Sequence, residues 1–142
     1  MSHLVLTRLH AYTATMNRPL CPFCQPLPPE RVLAASGTFV AFFDGFPVSP
    51  GHTLVIPKRH VASLFDLTEG DYRELWAQVV EVRKLLVERF HAAAFNIGVN
   101  DGTEAGQTIG HAHIHIIPRY PGDVPDPKGG IRWIIPAKAK YW

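Results

Sequence analysis

His111, His113 and His115 occupy alternate positions in the run His111-Ala112-His113-Ile114-His115-Ile116-Ile117. Imidazole can serve near neutral pH as nucleophile, proton donor or metal ligand, depending on which ring nitrogen is free. Alternation with apolar residues is the pattern of a strand, where every second side chain shares a face. Ala112, Ile114 and Ile116 then enter the core, and the three histidines line the opposite face. Successive histidine Cα atoms in such a row lie roughly 6–7 Å apart, and the outer two roughly 13 Å apart. Zinc–nitrogen bonds are only about 2.0–2.1 Å long. A single-metal site using all three rings is geometrically poor, so the outer two must have different jobs.

Two further groups bear on chemistry. The segment Asn100-Asp101-Gly102-Thr103-Glu104-Ala105-Gly106-Gln107-Thr108 brings amide, hydroxyl and glycine backbone donors to the start of the histidine run. Such neutral donors hold phosphate oxygens without a large basic patch. Both cysteines of the chain lie in Cys21-Pro22-Phe23-Cys24. In a reducing compartment a close pair reads as a metal clip or a redox pair, and a structural zinc would need two more ligands.

These residues need a scaffold. Thr38 to Asp44 and His52 to Pro57 are β-branched and aromatic runs separated by a turn at Pro47 to Gly51, which predicts an antiparallel hairpin. From Thr68 to about Phe90, Tyr72, Leu75, Trp76, Val79, Val82, Leu85, Leu86 and Phe90 recur at spacings of three and four. That is one amphipathic helix, with Thr68 as N-cap and Glu69 and Asp71 in its first turn. Phe95 to Val99 reads as a strand and the histidine run as another, ending at Pro118. Ile131 to Ile135 reads as a short strand in the tail. The order β-β-α-β-β predicts an α+β domain with antiparallel neighbours.

At 142 residues with 46% hydrophobic side chains, the chain reads as one domain, 1–142. Residues 1–30, broken by Pro19, Pro22, Pro26, Pro28 and Pro29, form an irregular N-terminal segment, and 120–142 a C-terminal tail. A net charge of +2, from 14 basic and 12 acidic side chains, excludes a general nucleic-acid or membrane surface. No segment reaches the ~18 apolar residues of a membrane helix. The opening MSHLVLTRLHAYTATMNRP lacks the apolar stretch of a signal peptide. The expectation is a cytoplasmic protein.

The run GQTIGHAHIHIIPR, with NDGTEAGQ, SPGHTLVIPKRH and CPFC in matching order, closely resembles the histidine triad (HIT) family of nucleotide hydrolases and transferases. The resemblance extends from about Cys21 to Arg119. It implies the HIT-like fold, an antiparallel sheet packed with one long helix. It also implies a homodimer that pairs through that helix and the adjacent strand, extending the sheet.

The implied activity is attack on the α-phosphate of an adenine nucleotide, as a hydrolase or nucleotidyltransferase. Diadenosine polyphosphates, nucleoside phosphoramidates and adenylylated conjugates are the implied substrates, so the partner is a purine nucleotide or dinucleoside polyphosphate. By the family pattern His113 is the nucleophile, forming a nucleotidyl-histidine that water resolves. His115 donates to the non-bridging phosphate oxygens, and Gln107 contacts the bridging or leaving-group side. Asn100 and Thr108 match phosphate-neighbourhood positions, Asp44 matches the ribose-holding position, and His52 matches a histidine near the phosphate.

Bacterial zinc-containing members of this pattern use the two cysteines, the histidine ending the PK-x-H motif and the first triad histidine. Here those are Cys21, Cys24, His60 and His111, implying structural Zn2+ with no open position. Family C-termini often reach the partner's nucleotide site, which makes Arg132, Trp133 and Trp142 candidates. The competing reading is a nucleotide-binding or sensing module with incidental turnover.

Overall fold

Two half-exposed residues and two alanines begin the sheet. Val32–Ala35 (β1) is a short edge strand that the residue pattern does not announce, because its burial is shallow and its alanines are not strand formers. It pairs antiparallel with Phe39–Phe43 (β2), which pairs in turn with Thr53–Pro57 (β3). The computed structural model describes residues 21–142. Pro19 and the opening stretch therefore lie outside the described residues. After β3 comes the long helix Glu69–Phe90 (α1), then Ala94–Val99 (β4) and Ile114–Arg119 (β5). All neighbours in the five-stranded sheet are antiparallel, in the order β1-β2-β3-β5-β4.

The expected hairpin, helix and two later strands are present within one to three residues of their predicted ends. The histidine run is the main shift, since regular pairing starts only at Ile114 and continues through Pro118 to Arg119. His111 and His113 lie in the segment just before it, where the Ala112 N–H donates to Val61 O at 2.7 Å. Alternation nevertheless holds: Ala112, Ile114 and Ile116 are in the core, on the side of α1. The predicted strand at Ile131 to Ile135 is instead a 3-10 turn, Gly130–Ile134, followed by the short helix Pro136–Ala139 (α2). Gly129 and Gly130 both have positive φ there and curl the chain away from any strand partner.

Each face of the sheet has its own cover. On one face α1 lays Leu75, Val79, Val82 and Leu86 against Phe39, Ala41, Val55, Ile114 and Ile116. Trp76 does not join that stripe: it is 55% exposed, and Gln78 is buried in the helix instead. The core stripe runs 75, 79, 82, 86, and Trp76 stands about 100° around the helix from Leu75. The helix starts where expected, with a capping box. Thr68 Oγ1 accepts from Asp71 N–H, and the Asp71 carboxylate accepts from Thr68 N–H. Glu74 fastens it to the β1–β2 turn by accepting from the Ser36 hydroxyl, Thr38 N–H and the Thr38 hydroxyl. Gly51, with φ +82°, lies so close to Phe90 that an added Cβ would stand 3.1 Å from its ring.

The opposite face carries Phe42, Leu54 and Ile56, covered by Phe23 and Leu27 of the N-terminal segment. In the β3–β5 register Leu54 stands opposite His115. The histidine face is therefore the face that the CPFC segment covers.

Candidate active site and metal centre

The hydrogen-bond partners of the histidines assign their protons. A carbonyl oxygen only accepts, so His113 Nδ1, at 2.7 Å from His111 O, must carry the hydrogen. In the neutral ring that leaves Nε2 with a free lone pair. By the same logic His111 donates through Nε2 to Pro57 O at 2.8 Å, leaving its Nδ1 as the ligand atom.

A third assignment comes from the β2–β3 hairpin. Asp44 and His52 flank its turn, closed by the Asp44 N–H donating to His52 O at 2.9 Å. The Val48 N–H donates to His52 Nδ1 at 3.2 Å, so the hydrogen of neutral His52 sits on Nε2. That Nε2 lies 3.0 Å from His115 Nδ1 and 3.5 Å from Asp44 Oδ2. His115 Nδ1 accepts, and its own hydrogen is turned to Nε2. A backbone amide in a turn thus sets the tautomer of a ring on β5 through one intervening histidine.

Burial keeps these rings neutral. His115 is held down at about 4, chiefly by desolvation, then by repulsion from His113 and His52, against a smaller pull from Asp44. His52 is lowered by burial, partly offset by Asp44. His111 is lowered by burial too, with the Pro57 carbonyl opposing and His60 and His113 adding to the shift. Each is a deprotonated ring at neutral pH, suited to hold a metal or donate one hydrogen bond.

A cleft of about 370 Å³ opens over His113 and His115, lined among others by Phe23, Arg31, Phe42, Asp44 and Thr108. It combines apolar walls with two imidazoles and a carboxylate, the usual make-up of a ligand site. Asp44, Thr108, His113 and His115 are thus brought together as the sequence predicts, with His52 directly behind His115. Gln107 and Asn100 do not line the cleft. The Gln107 amide is used within its own loop, accepting from Gly102 N–H and donating to the Ala62 and Ile109 carbonyls. Phe23 and Arg31 line it without having been singled out from sequence. The signal for Phe23 was its place between the two cysteines. A larger cavity of about 630 Å³ lies beside the C-terminal tail. Its charged side chains are satisfied, Arg119 donating to Asn96 and to both oxygens of Asp123.

Cys21, Cys24, His60 and His111 place one ligand atom each within 4.8 Å of one another. Cys24 Sγ lies 3.3 Å from His60 Nδ1, and Cys21 Sγ 3.5 Å from His111 Nδ1. Two thiols and two imidazoles suit a four-coordinate metal, and the Nε2–H of His111 is already committed to a carbonyl, as a ligand's second nitrogen should be. The four residues can hold a metal.

The tail candidates turn inward on their own segment. Arg132 donates to the Ala139 and Lys138 carbonyls, Trp133 Nε1–H to Lys128 O, and Lys128 stands over the Trp142 ring. No helix among the described residues is long and apolar enough to cross a membrane.

Comparison with known proteins gives consistent matches. The HIT domain family profile matches residues 26–122. An asymmetrical bis(5'-nucleosyl)-tetraphosphatase from Schizosaccharomyces pombe is 47% identical over 83 residues, 58% of this chain and 46% of that protein. A bis(5'-adenosyl)-triphosphatase from Dictyostelium discoideum is 44% identical over 73 residues, 51% of this chain and 49% of that protein. The chain thus spans about half the length of these curated relatives. A crystal structure of a HIT family member from Bacillus subtilis superposes with a TM-score of 0.68 at 31% identity, covering 74% of this chain and 77% of the other.

Proposed function

The chain belongs to the HIT domain family, and we propose that it hydrolyses dinucleoside polyphosphates or related nucleotide conjugates at the α-phosphate, through His113. The observation that carries this reading is the proton assignment in the cleft. His113 holds its hydrogen on Nδ1 against a carbonyl, so its free Nε2 faces a pocket shared with Asp44, Thr108 and His115. The names of the relatives, a tetraphosphatase and a triphosphatase of dinucleosides, support the substrate class.

In the first step His113 Nε2 attacks the α-phosphorus. A P–N bond forms as the bond to the bridging oxygen breaks, and that oxygen leaves with the distal nucleotide portion. Water then attacks the same phosphorus, the P–N bond breaks, and a nucleoside monophosphate departs while the ring recovers its lone pair. His115, with its hydrogen directed to Nε2 by His52, donates to a non-bridging oxygen as charge builds there. The carboxylate of Asp44 is suited to accept from ribose hydroxyls. Asn100 and Gln107 remain assigned to the phosphate neighbourhood, Gln107 on exchanging its loop bonds for the substrate.

The four-residue centre is assigned to Zn2+. When bound, the ion would cross-link the N-terminal segment to the stretch leading into β5 and to the turn after β3, a structural service. The exposed apolar side chains of Trp76, Val80 and edge-strand Val99 support a homodimer through α1 and β4.

The test is AMP release from diadenosine tri- and tetraphosphate and adenosine phosphoramidate, with His113→Ala alongside. Release lost in the variant, with AMP affinity retained, is the expected result. Equal release by the variant refutes the covalent route. AMP binding without release from any substrate favours the sensing module.

A further inference from the structure

The metal centre and the cleft share two mechanical connections. The first is the segment between the cysteines: Phe23 is one residue from Cys24 and two from Cys21, so holding both thiols holds its ring. That ring meets His113 edge-on at 5.5 Å, His111 at 5.8 Å and Phe42 at 5.5 Å, and it lines the cleft. The second is the backbone of a metal-site residue. His111 O accepts the hydrogen that directs the His113 ring. The wall of the cleft and the orientation of its nucleophile thus both hang from residues that would hold the ion.

Among the described residues, the backbone hydrogen bonds of 21–28 run within the segment or to Arg31, and none reaches a strand. Its contacts with the sheet include the packing of Phe23 and Leu27 and the cysteine–histidine cluster. Ordering a loop costs backbone entropy. A ligand that needs the wall in place must bear that cost whenever the metal has not already met it.

Resting on the nucleotide reading above, we propose that metal binding at Cys21, Cys24, His60 and His111 and nucleotide binding in the cleft are coupled through Phe23, each tightening the other. Linkage makes the coupling reciprocal, by one and the same factor. The expected factor is about tenfold, within the usual 5- to 150-fold range of such couplings.

The experiment measures AMP affinity by calorimetry on zinc-loaded and chelator-stripped protein, and Zn2+ affinity by chelator competition with and without saturating AMP. Circular dichroism monitors the fold of each sample. The expected result is AMP binding about tenfold weaker in stripped protein and Zn2+ held about tenfold tighter with AMP. Phe23→Ala should keep its Zn2+, since all four ligands remain, yet lose most of the AMP effect on Zn2+ affinity. The competition arm needs only loaded protein at the start, so a stripped sample that unfolds leaves the test intact. Equal AMP affinity in both forms, or Zn2+ affinity indifferent to AMP, overturns the coupling. A Phe23→Ala protein in which AMP protects Zn2+ as in the parent overturns the route through Phe23. Loaded protein that binds no AMP overturns the nucleotide reading itself, and the coupling with it.

Discussion

Replacing His52 by leucine isolates one hydrogen bond. His52 is 3% exposed, so a leucine of similar bulk fills the space while removing both nitrogens. Val48, whose N–H loses its acceptor, is 71% exposed, and that N–H turns to water without unfolding the hairpin. The consequence falls on His115. It loses the donor at 3.0 Å that assigns its hydrogen to Nε2. A hydrogen bond to a group that meets developing charge is worth about 1.5–3 kcal/mol, or roughly 10- to 150-fold in rate. Because the benefit grows as charge builds on phosphate, kcat should fall by that factor while KM changes little. Removing a repelling neighbour also raises the His115 pKa above its value of about 4. Steady-state AMP release from a diadenosine substrate gives the first number, and an NMR titration of the His115 ring gives the second. A variant with parental melting temperature, kcat within twofold of the parent and an unmoved His115 titration refutes the tautomer argument.

Cys24→Ser should lower both the bound zinc, measured by elemental analysis, and the melting temperature; a parent protein that carries no metal sinks the zinc assignment. The His115 ring makes stability depend on pH. Folding lowers its pKa from 6.5 to about 4, so the unfolded chain binds more protons between those values. Its contribution is complete above about pH 6.5 and drains away as pH falls toward 4, up to about 3 kcal/mol, reduced by solvent screening at this half-buried ring. Denaturant midpoints that stay level across that window contradict it. Thr68→Ala removes the cap of α1 and should cost about 1 kcal/mol in chemical unfolding, whereas no loss means the box seen here contributes nothing. Leu86→Ala opens a cavity at a fully buried position of the same helix and should cost about 2–5 kcal/mol in the same assay; a loss under 1 kcal/mol denies its place in the core.

Where the sequence reading succeeded, burial had a period. The stripe through Leu75, Val79, Val82 and Leu86 and the alternation through Ala112, Ile114 and Ile116 are patterns that only one packing satisfies. Where it failed, burial was partial. β1 is an edge strand of shallow burial, so its four residues carry no alternation to detect. The tail isoleucines Ile131, Ile134 and Ile135 are all exposed, and their strand-like composition is overruled by two glycines at positive φ. The three- and four-residue spacing puts Trp76 on the same apolar stripe as Leu75, yet Leu75 holds the position that faces the sheet and Trp76 stays half-exposed. In the site, side-chain identities were legible but backbone partners were not. No residue type advertises that Pro57 O, His111 O and the Val48 N–H will fix three imidazoles, because every residue has a backbone.

Those backbone partners explain how one alternating run presents three imidazoles with different free nitrogens. Identical side chains in a row cannot differ by themselves, so the difference must come from what each one faces. The neighbouring strand β3 supplies most of it. Just beyond its C-terminal end lies His60, and its last residue gives the Pro57 carbonyl, so His111 is drawn to the cysteines with Nδ1 open. Just before its N-terminal end lies His52, backed by the Val48 amide, so His115 turns its hydrogen outward. Between them His113 meets the carbonyl of its own segment and keeps a bare Nε2. Antiparallel pairing fixes which end of β3 meets which histidine, and a slip of one residue would turn His115 away from the cleft. A substitution that loosens the β3–β5 register should therefore lower metal content, measured by elemental analysis, and AMP release together.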